Sequence, residues 1–353
     1  MDKKLMSKKK PAFPITEQLS NYLTEHSRNI KIPIFYDDLL RFQGAIEIYD
    51  ENGNDTLWVS TYYAEHERQE IDLRLKQMYT ILHSDGSDSI LPFLNIDTID
   101  FCTFGNSKPF RIKVRNILND NYIYLYVKVA DASRIYGLEL EHLLSPNLIN
   151  FLVHENTLIE EHISGIPGDI FIADQLDKCS LQDKTAIVKE FVKFNERSFA
   201  RLLGDMRSYN YVIVLTHDFD RIQYRIRAID FDQQSFEGNP KVYKPQFLKE
   251  NNVLVKMTSE ILKEESIEQY KKEERSLLAK RASSDIDRLN KLLDCMRHDK
   301  ISTPEKVQEL KTGLLELTGD VNFKKSNNMG DILNTALDFI IRNYKNINPY
   351  IIR

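Results

Sequence analysis

Gly204-Asp205-Met206-Arg207-Ser208-Tyr209-Asn210, followed after a strand pair by Ile229-Asp230-Phe231-Asp232, sets the frame for the whole chain. Between the two segments YVIVL and IQYRIRAIDF, joined by the polar turn THDFDR, predict a hairpin, because Tyr224, Ile226 and Ala228 alternate with Arg225 and Arg227 as in a half-buried strand. Two spaced carboxylates and an amide therefore flank one hairpin. Phosphoryl transfer needs a carboxylate to orient or deprotonate the attacking hydroxyl, and oxygen ligands for the magnesium ions that neutralise the phosphates. Asp-x4-Asn, hairpin, Asp offers these groups in that order.

Upstream, residues 96–130 hold three strand-like runs, IDTIDFCTFG, FRIKVRNI and YIYLYVKVA, broken by GNSKP and by Asn119-Asp120-Asn121. They predict an antiparallel meander. ASRIYGLELEHLL predicts a short helix that stops at Ser145-Pro146, since the residue before proline avoids the helical region. NFLVHEN and LIEEHI then predict two more strands, giving five with one helix inserted after the third, an α+β arrangement. Earlier still, residues 44–63 place alternating apolar residues around Asn52-Gly53, a hairpin turn pair. A helix with Ile71, Leu75, Met78, Tyr79 and Leu82 at helical spacing follows it.

After Gly165-Ile166-Pro167-Gly168 the pattern turns helical, with Ile187, Phe191 and Phe194 on one face. Ser302-Thr303-Pro304-Glu305 starts a further helix whose apolar stripe is Val307, Leu310, Leu314 and Leu317. The densely charged run KEESIEQYKKEERSLLAKR reads as a solvated helix face.

Composition narrows the classes. The chain has 353 residues, 42% hydrophobic and 29% charged, which excludes disorder and a disulfide-stapled miniprotein and leaves room for one or two cored domains. A net charge of -5 disfavours nucleic acid as a partner. Cys102, Cys179 and Cys295 show no C-x-x-C spacing, which points to a reducing compartment. No run approaches the roughly 18 apolar residues that would span a bilayer. The lysine-rich start MDKKLMSKKK has no apolar core behind it, so no membrane association and a cytoplasmic protein are expected.

On these residues the chain resembles the protein-kinase-like superfamily, nearest its aminoglycoside phosphotransferase and choline kinase branch. The resemblance implies a bilobal fold with a five-stranded antiparallel N-lobe carrying one helix and a mainly helical C-lobe. The implied division is an N-terminal extension over residues 1–90, an N-lobe and hinge over 91–164, and a C-lobe over 165–353. It further implies ATP and Mg2+ as cofactors. Asp205 would be the catalytic base, Asn210 and Asp230 metal ligands with Asp232 as a further one, and Arg207 a phosphate contact. Lys128, on the third strand, would hold the α and β phosphates with Glu139 as its partner, because Glu139 shares a helix face with Ile135, Tyr136 and Leu143. Gly105, Asn106 and Ser107 would cover the phosphates, and the backbone of Glu161 and Ile163 would hold adenine.

Two departures stand out: Leu203 occupies the place of the family's loop histidine, and Gly105 is the lone glycine of its loop. The expected function is an ATP- and magnesium-dependent phosphotransferase acting on a hydroxyl acceptor, with a small molecule favoured over a protein. The alternative is a kinase-like module without catalysis that binds or regulates, and a third is an unrelated α+β interaction protein. Asp218-Phe219-Asp220, at the hairpin tip, reads as a turn only.

Overall fold

The computed structural model describes residues 10–83, 88–105, 107–219 and 221–343, so most of the lysine-rich start, Asn106 and Asp220 lie outside the described residues. The chain forms two compact units. One comprises Pro14–Asp131 and Ile149–His162; the other takes the described residues of Met1–Phe13, Ala132–Leu148 and Ile163–Arg353.

The first unit is built on an antiparallel sheet of seven strands in the order β1-β2-β3-β4-β5-β7-β6. These are β1 (Gly44–Tyr49), β2 (Asp55–Tyr62), β3 (Leu94–Cys102), β4 (Phe110–Asn116), β5 (Tyr122–Val129), β6 (Phe151–His154) and β7 (Thr157–Glu161). The expected five-stranded sheet is thus corrected to seven. The extra pair is the early hairpin, whose Trp58, Val59 and Ser60 align with Cys102, Phe101 and Asp100 of β3. A free β3 edge would leave backbone donors and acceptors unpaired, and β2 satisfies them. The hairpin turns where the sequence predicts: Gly53 has φ +79°, and Asp50 Oδ1 accepts from the amides of Asn52 and Asn54 at 2.9 and 2.8 Å.

Helices α1 (Glu17–Glu25), α2 (Tyr36–Leu39) and α3 (Glu65–His83) complete this unit. Ile71, Leu75 and Met78 of α3 join Ile99, Ile112, Val114, Leu125 and Val127 of the sheet in one buried cluster. The alternate residues lie on the other sheet face, where the Arg111 guanidinium stands 4.5 Å from the Trp58 ring and 5.5 Å from that of Tyr124.

The second unit is mainly helical. It contains α4 (Ala132–Leu144), β8 (Ile166–Pro167), α5 (Gly168–Asp174), α6 (Leu181–Ala200), β9 (Tyr211–Asp218), β10 (Arg221–Ala228) and α7 (Asn252–Ile261). Then come α8 (Glu264–Ser284), α9 (Ile286–His298), α10 (Pro304–Thr318) and α11 (Met329–Asn343). Strands β10, β9 and β8 form a small antiparallel sheet. Ile187, Phe191 and Phe194 are buried as their spacing predicts, and α10 starts where expected, with Thr303 as its N-cap.

The charged run on α8 is not simply a solvated face. Glu274 and Arg275 are buried at 2% and 7% exposure, where Glu274 meets Arg197 of α6 at 3.3 Å and Arg275 meets Glu196. Burying such charges is tolerable only when each finds a partner, and α6 supplies both. Among the described residues no helix is long and apolar enough to cross a membrane.

Candidate functional site

In the sheet unit, Lys128 sits on β5 on the same face as Tyr124 and Tyr126, with its ammonium 5.5 Å from the Tyr126 ring. Its side chain is buried and ion-paired to Glu160 of β7. The register explains the pair: Lys128 faces Leu158 and Tyr126 faces Glu160, so the two charges are diagonal neighbours on one sheet face. Sequence reading reached for Glu139 and passed over Glu160, whose position opposite β5 only strand register reveals. Glu139 lies fully buried on α4, within the helical unit, and accepts from Arg288 Nη2 at 2.7 Å.

The β3–β4 turn carries Gly105 at φ +88° and Ser107, closed by the Cys102 amide donating to the Pro109 carbonyl at 2.9 Å. At the end of β7 the Glu161 amide donates to the Asn150 carbonyl at 3.1 Å and the His162 amide to that of Tyr124 at 3.0 Å. The backbone N–H of Glu161 is therefore engaged within the sheet unit. Ile163 opens the helical unit's next segment.

In the helical unit, the loop after α6 is pinned by backbone pairing. Leu203 bridges Gln234, the Gly204 amide donates to the Gln233 carbonyl at 3.1 Å, and the Ser235 amide donates to that of Leu202 at 2.8 Å. This backbone pairing holds the loop with leucine at position 203. Leu202, Asp205 and Ser235 take positive φ values of 53°, 59° and 49°. Left-handed backbone is costly for leucine and cheaper for aspartate, so the loop is held by its surroundings.

Asp205 is surrounded by polar groups. Arg207 Nε donates to its Oδ1 at 2.6 Å, Arg207 Nη1 reaches Glu250 at 2.9 Å, and Asn210 Nδ2 donates to the Asp205 carbonyl at 2.8 Å. Burial pushes the Asp205 carboxyl up to about 6; Arg207 opposes the shift, and the nearby carboxylates of Asp230 and Glu250 add to it. Asp205, Asn210 and Asp230 are thus brought together at one end of the β9–β10 hairpin, where the Ile229 amide also donates to the Asn210 carbonyl at 3.0 Å.

Asp230 and Asp232 carry a cation that sequence reading missed. Arg134 of α4, 3% exposed, donates from Nη2 to Asp230 Oδ1 at 2.9 Å and from Nε to Asp232 Oδ1 at 2.7 Å. Asp230 Oδ1 also accepts the Asp232 amide at 3.1 Å. The available signal was an arginine in the first turn of the largely apolar ASRIYGLELEHLL, a helix buried throughout from Ala132 to Glu141, Arg134 included. As arranged, the Asp230 and Asp232 oxygens that a magnesium ion would use hold a guanidinium, so the residues do not fit that ion in this state. Among the described residues no three His, Cys, Asp or Glu side chains are grouped to hold a metal.

No protein-family profile matches the chain, and no curated protein does. Among solved structures, a crystal structure of Rad53 1-466 in complex with AMP-PNP is similar over 82% of this chain and 74% of that one, at 13% identity and a TM-score of 0.28. A likeness that slight carries no argument, so the functional reading stands on the residues themselves.

Proposed function

We propose that the chain is an ATP-dependent phosphotransferase of the protein-kinase-like kind, acting on a hydroxyl acceptor, with a small molecule favoured. The observation that carries this reading is Asp205: a desolvated carboxyl raised to about 6, on a left-handed loop residue, beside Asn210 and Asp230. A carboxyl with that proton affinity suits general-base work near neutral pH, where it is mostly ionised yet still a usable proton acceptor. In this reading Asp205 takes the acceptor's proton, Lys128, Gly105 and Ser107 are the candidate phosphate contacts of the sheet unit, and Asn106 lies outside the described residues. The Glu161–Ile163 backbone faces adenine, through carbonyl groups and the Ile163 amide, since the Glu161 N–H is already engaged. Arg207 contacts phosphate only by leaving Asp205 or Glu250. Asn210, Asp230 and Asp232 are the candidate magnesium ligands, and no step is assigned to that ion while Arg134 holds two of them.

A second reading is a nucleotide-binding regulatory module without turnover, and it is the Arg134 contact that favours it. A thermal-shift titration with ATP, with and without Mg2+, combined with ATP turnover in the wild-type chain and Asp205→Asn, separates the two. The phosphotransferase reading expects nucleotide stabilisation in both proteins and a loss of turnover of about 10²- to 10⁴-fold in Asp205→Asn. Stabilisation without turnover selects the regulatory module. No shift at millimolar nucleotide overturns both.

A further inference from the structure

We infer that Asn251 is a positioning residue for Asp205: its side-chain amide holds the loop that places the carboxyl. The inference rests on the reading of Asp205 as the general base, and its geometry lies wholly within the helical unit. Asn251 is fully buried immediately ahead of α7. Its Nδ2 donates to the Met206 carbonyl at 2.9 Å and to the Pro245 carbonyl at 2.8 Å, and its Oδ1 accepts from the Tyr211 hydroxyl at 2.9 Å. Three segments therefore converge on one side chain: the residue after Asp205, the first residue of β9 and the stretch that leads into α7.

The contact calls for a primary amide. Two carbonyls that meet at one point need two N–H donors on one nitrogen, and the phenol needs an acceptor beside it. Only Asn and Gln carry both, and Gln is longer by one methylene. At a site with no exposed surface, a carbonyl that loses its donor is left without a partner. The Tyr211 anchor is itself tightly packed: its ring centroid lies 5.2 Å from that of Phe194, and a Cβ on Gly168 would stand 2.2 Å from Tyr211 Cε2.

Glu250, the residue before Asn251, takes Arg207 Nη1 at 2.9 Å. Consecutive residues ahead of α7 thus grip consecutive residues of the loop, Asn251 on Met206 and Glu250 on Arg207. Asp205 has φ +59°, a backbone conformation that persists only where neighbours fix it. On its upstream side the amides of Gly204 and Asp205 donate to the carbonyls of Gln233 and Val242, at 3.1 and 3.3 Å. On its downstream side Asn210, within the loop, takes the Asp205 carbonyl, and Asn251, from outside the loop, takes that of Met206. Losing the Asn251 tie frees that side to move, and a general base displaced by a fraction of an ångström loses rate without losing nucleotide affinity.

The test compares the full-length wild type, Asn251→Ala and Tyr211→Phe by ATP turnover and by hydrogen exchange of the peptide spanning residues 202–210, with folding checked by circular dichroism and thermal midpoint. In Asn251→Ala the expected result is a fall in kcat of about tenfold to a hundredfold with the KM for ATP within about twofold of wild type. Exchange in the loop should quicken about tenfold or more while α9 and α11 keep wild-type rates. Tyr211→Phe keeps both carbonyl contacts and removes only the anchor behind them, so both of its effects should be smaller. Asn251→Ser, which retains a single donor, is the deciding variant if Asn251→Ala does not fold.

A folded Asn251 variant with wild-type kcat and wild-type loop exchange overturns the inference. So does a lowered thermal midpoint with faster exchange spread evenly over the helical unit, or a Tyr211→Phe effect equal to that of Asn251→Ala. A wild type without turnover that still shows the local exchange pattern sinks the phosphotransferase reading and leaves Asn251 as the holder of the loop.

Discussion

The two ends of the segment that brackets the β9–β10 hairpin treat negative charge in opposite ways. Before the hairpin, Asp205 shares Arg207 with Glu250, so one cation serves two carboxylates, and burial wins: the carboxyl is raised to about 6. After the hairpin, Asp230 and Asp232 also share one cation, yet Arg134 is far more deeply buried than Arg207, at 3% against 27% exposure. The strength of an ion pair follows the depth of its cation as well as the count of charges, because a guanidinium removed from water attracts its partners through a less polarisable medium. One end is thereby suited to gain and lose a proton and the other to hold a cation firmly.

The contrast breaks most visibly at Arg134. Arg134→Ala leaves two adjacent carboxylates facing each other without their shared donor, and a loss of about 3 kcal/mol or more in unfolding free energy is expected from denaturant titration. Neutralising the pair in Arg134→Ala/Asp230→Asn/Asp232→Asn removes the repulsion and should recover much of that loss. Recovery absent in the triple variant would mean that Arg134 stabilises through packing of α4, and the ionic account of this end would fail.

The next effect lies at Asp205 and depends on pH. Its folded-state value of about 6 lies above the ordinary 3.8, so between these values the folded chain binds more protons than the unfolded one and this residue's contribution to stability falls as pH rises. Above about pH 6 the full cost remains, of order 2 to 3 kcal/mol, and below about pH 4 it vanishes. Asp205→Asn removes the ionisable group. Its thermal midpoint should exceed the wild type's at pH 7.5 and converge with it near pH 4, even as turnover is lost. A parallel offset at both pH values would exclude titration of Asp205 as the cause.

What could be read from sequence was local. Asn52-Gly53 fixes a turn because few residues accept its backbone, and Ser302-Thr303-Pro304-Glu305 starts α10 because cap and proline chemistry act within one turn. The alternation in β3, β4 and β5 likewise needs only near neighbours. The rest depends on contacts between distant segments. The hairpin of β1 and β2 reads equally well as an appendage or as two more strands, and only its pairing with β3 decides. Glu274 and Arg275 look solvated until α6 is placed against α8. Asp205, Asn210 and Asp230 were legible because three residue types fall in order along one short stretch. Glu160 and Arg134, the partners of Lys128 and Asp230, are 32 and 96 residues from them, at distances where sequence gives no geometry.

Arg207 offers the smallest and most selective test of the comparison. It is partly exposed and divides its fork between Asp205 and Glu250, so Arg207→Gln should cost only about 0.5 to 1 kcal/mol at pH 7.5. Its signature is in the pH dependence. Without the guanidinium the Asp205 carboxyl loses the main influence that opposes burial, so its proton affinity rises further above 6. The cost of the substitution should then shrink as pH is lowered toward 5, where Asp205 is protonated in either protein and the guanidinium has only Glu250 left to hold. In an activity profile the acid limb would move to higher pH by the same cause. An equal cost at pH 5 and pH 7.5 would assign Arg207 to Glu250 alone, leaving Asp205 raised by burial and its carboxylate neighbours, and the two ends of the hairpin would then differ in partnership as well as in depth.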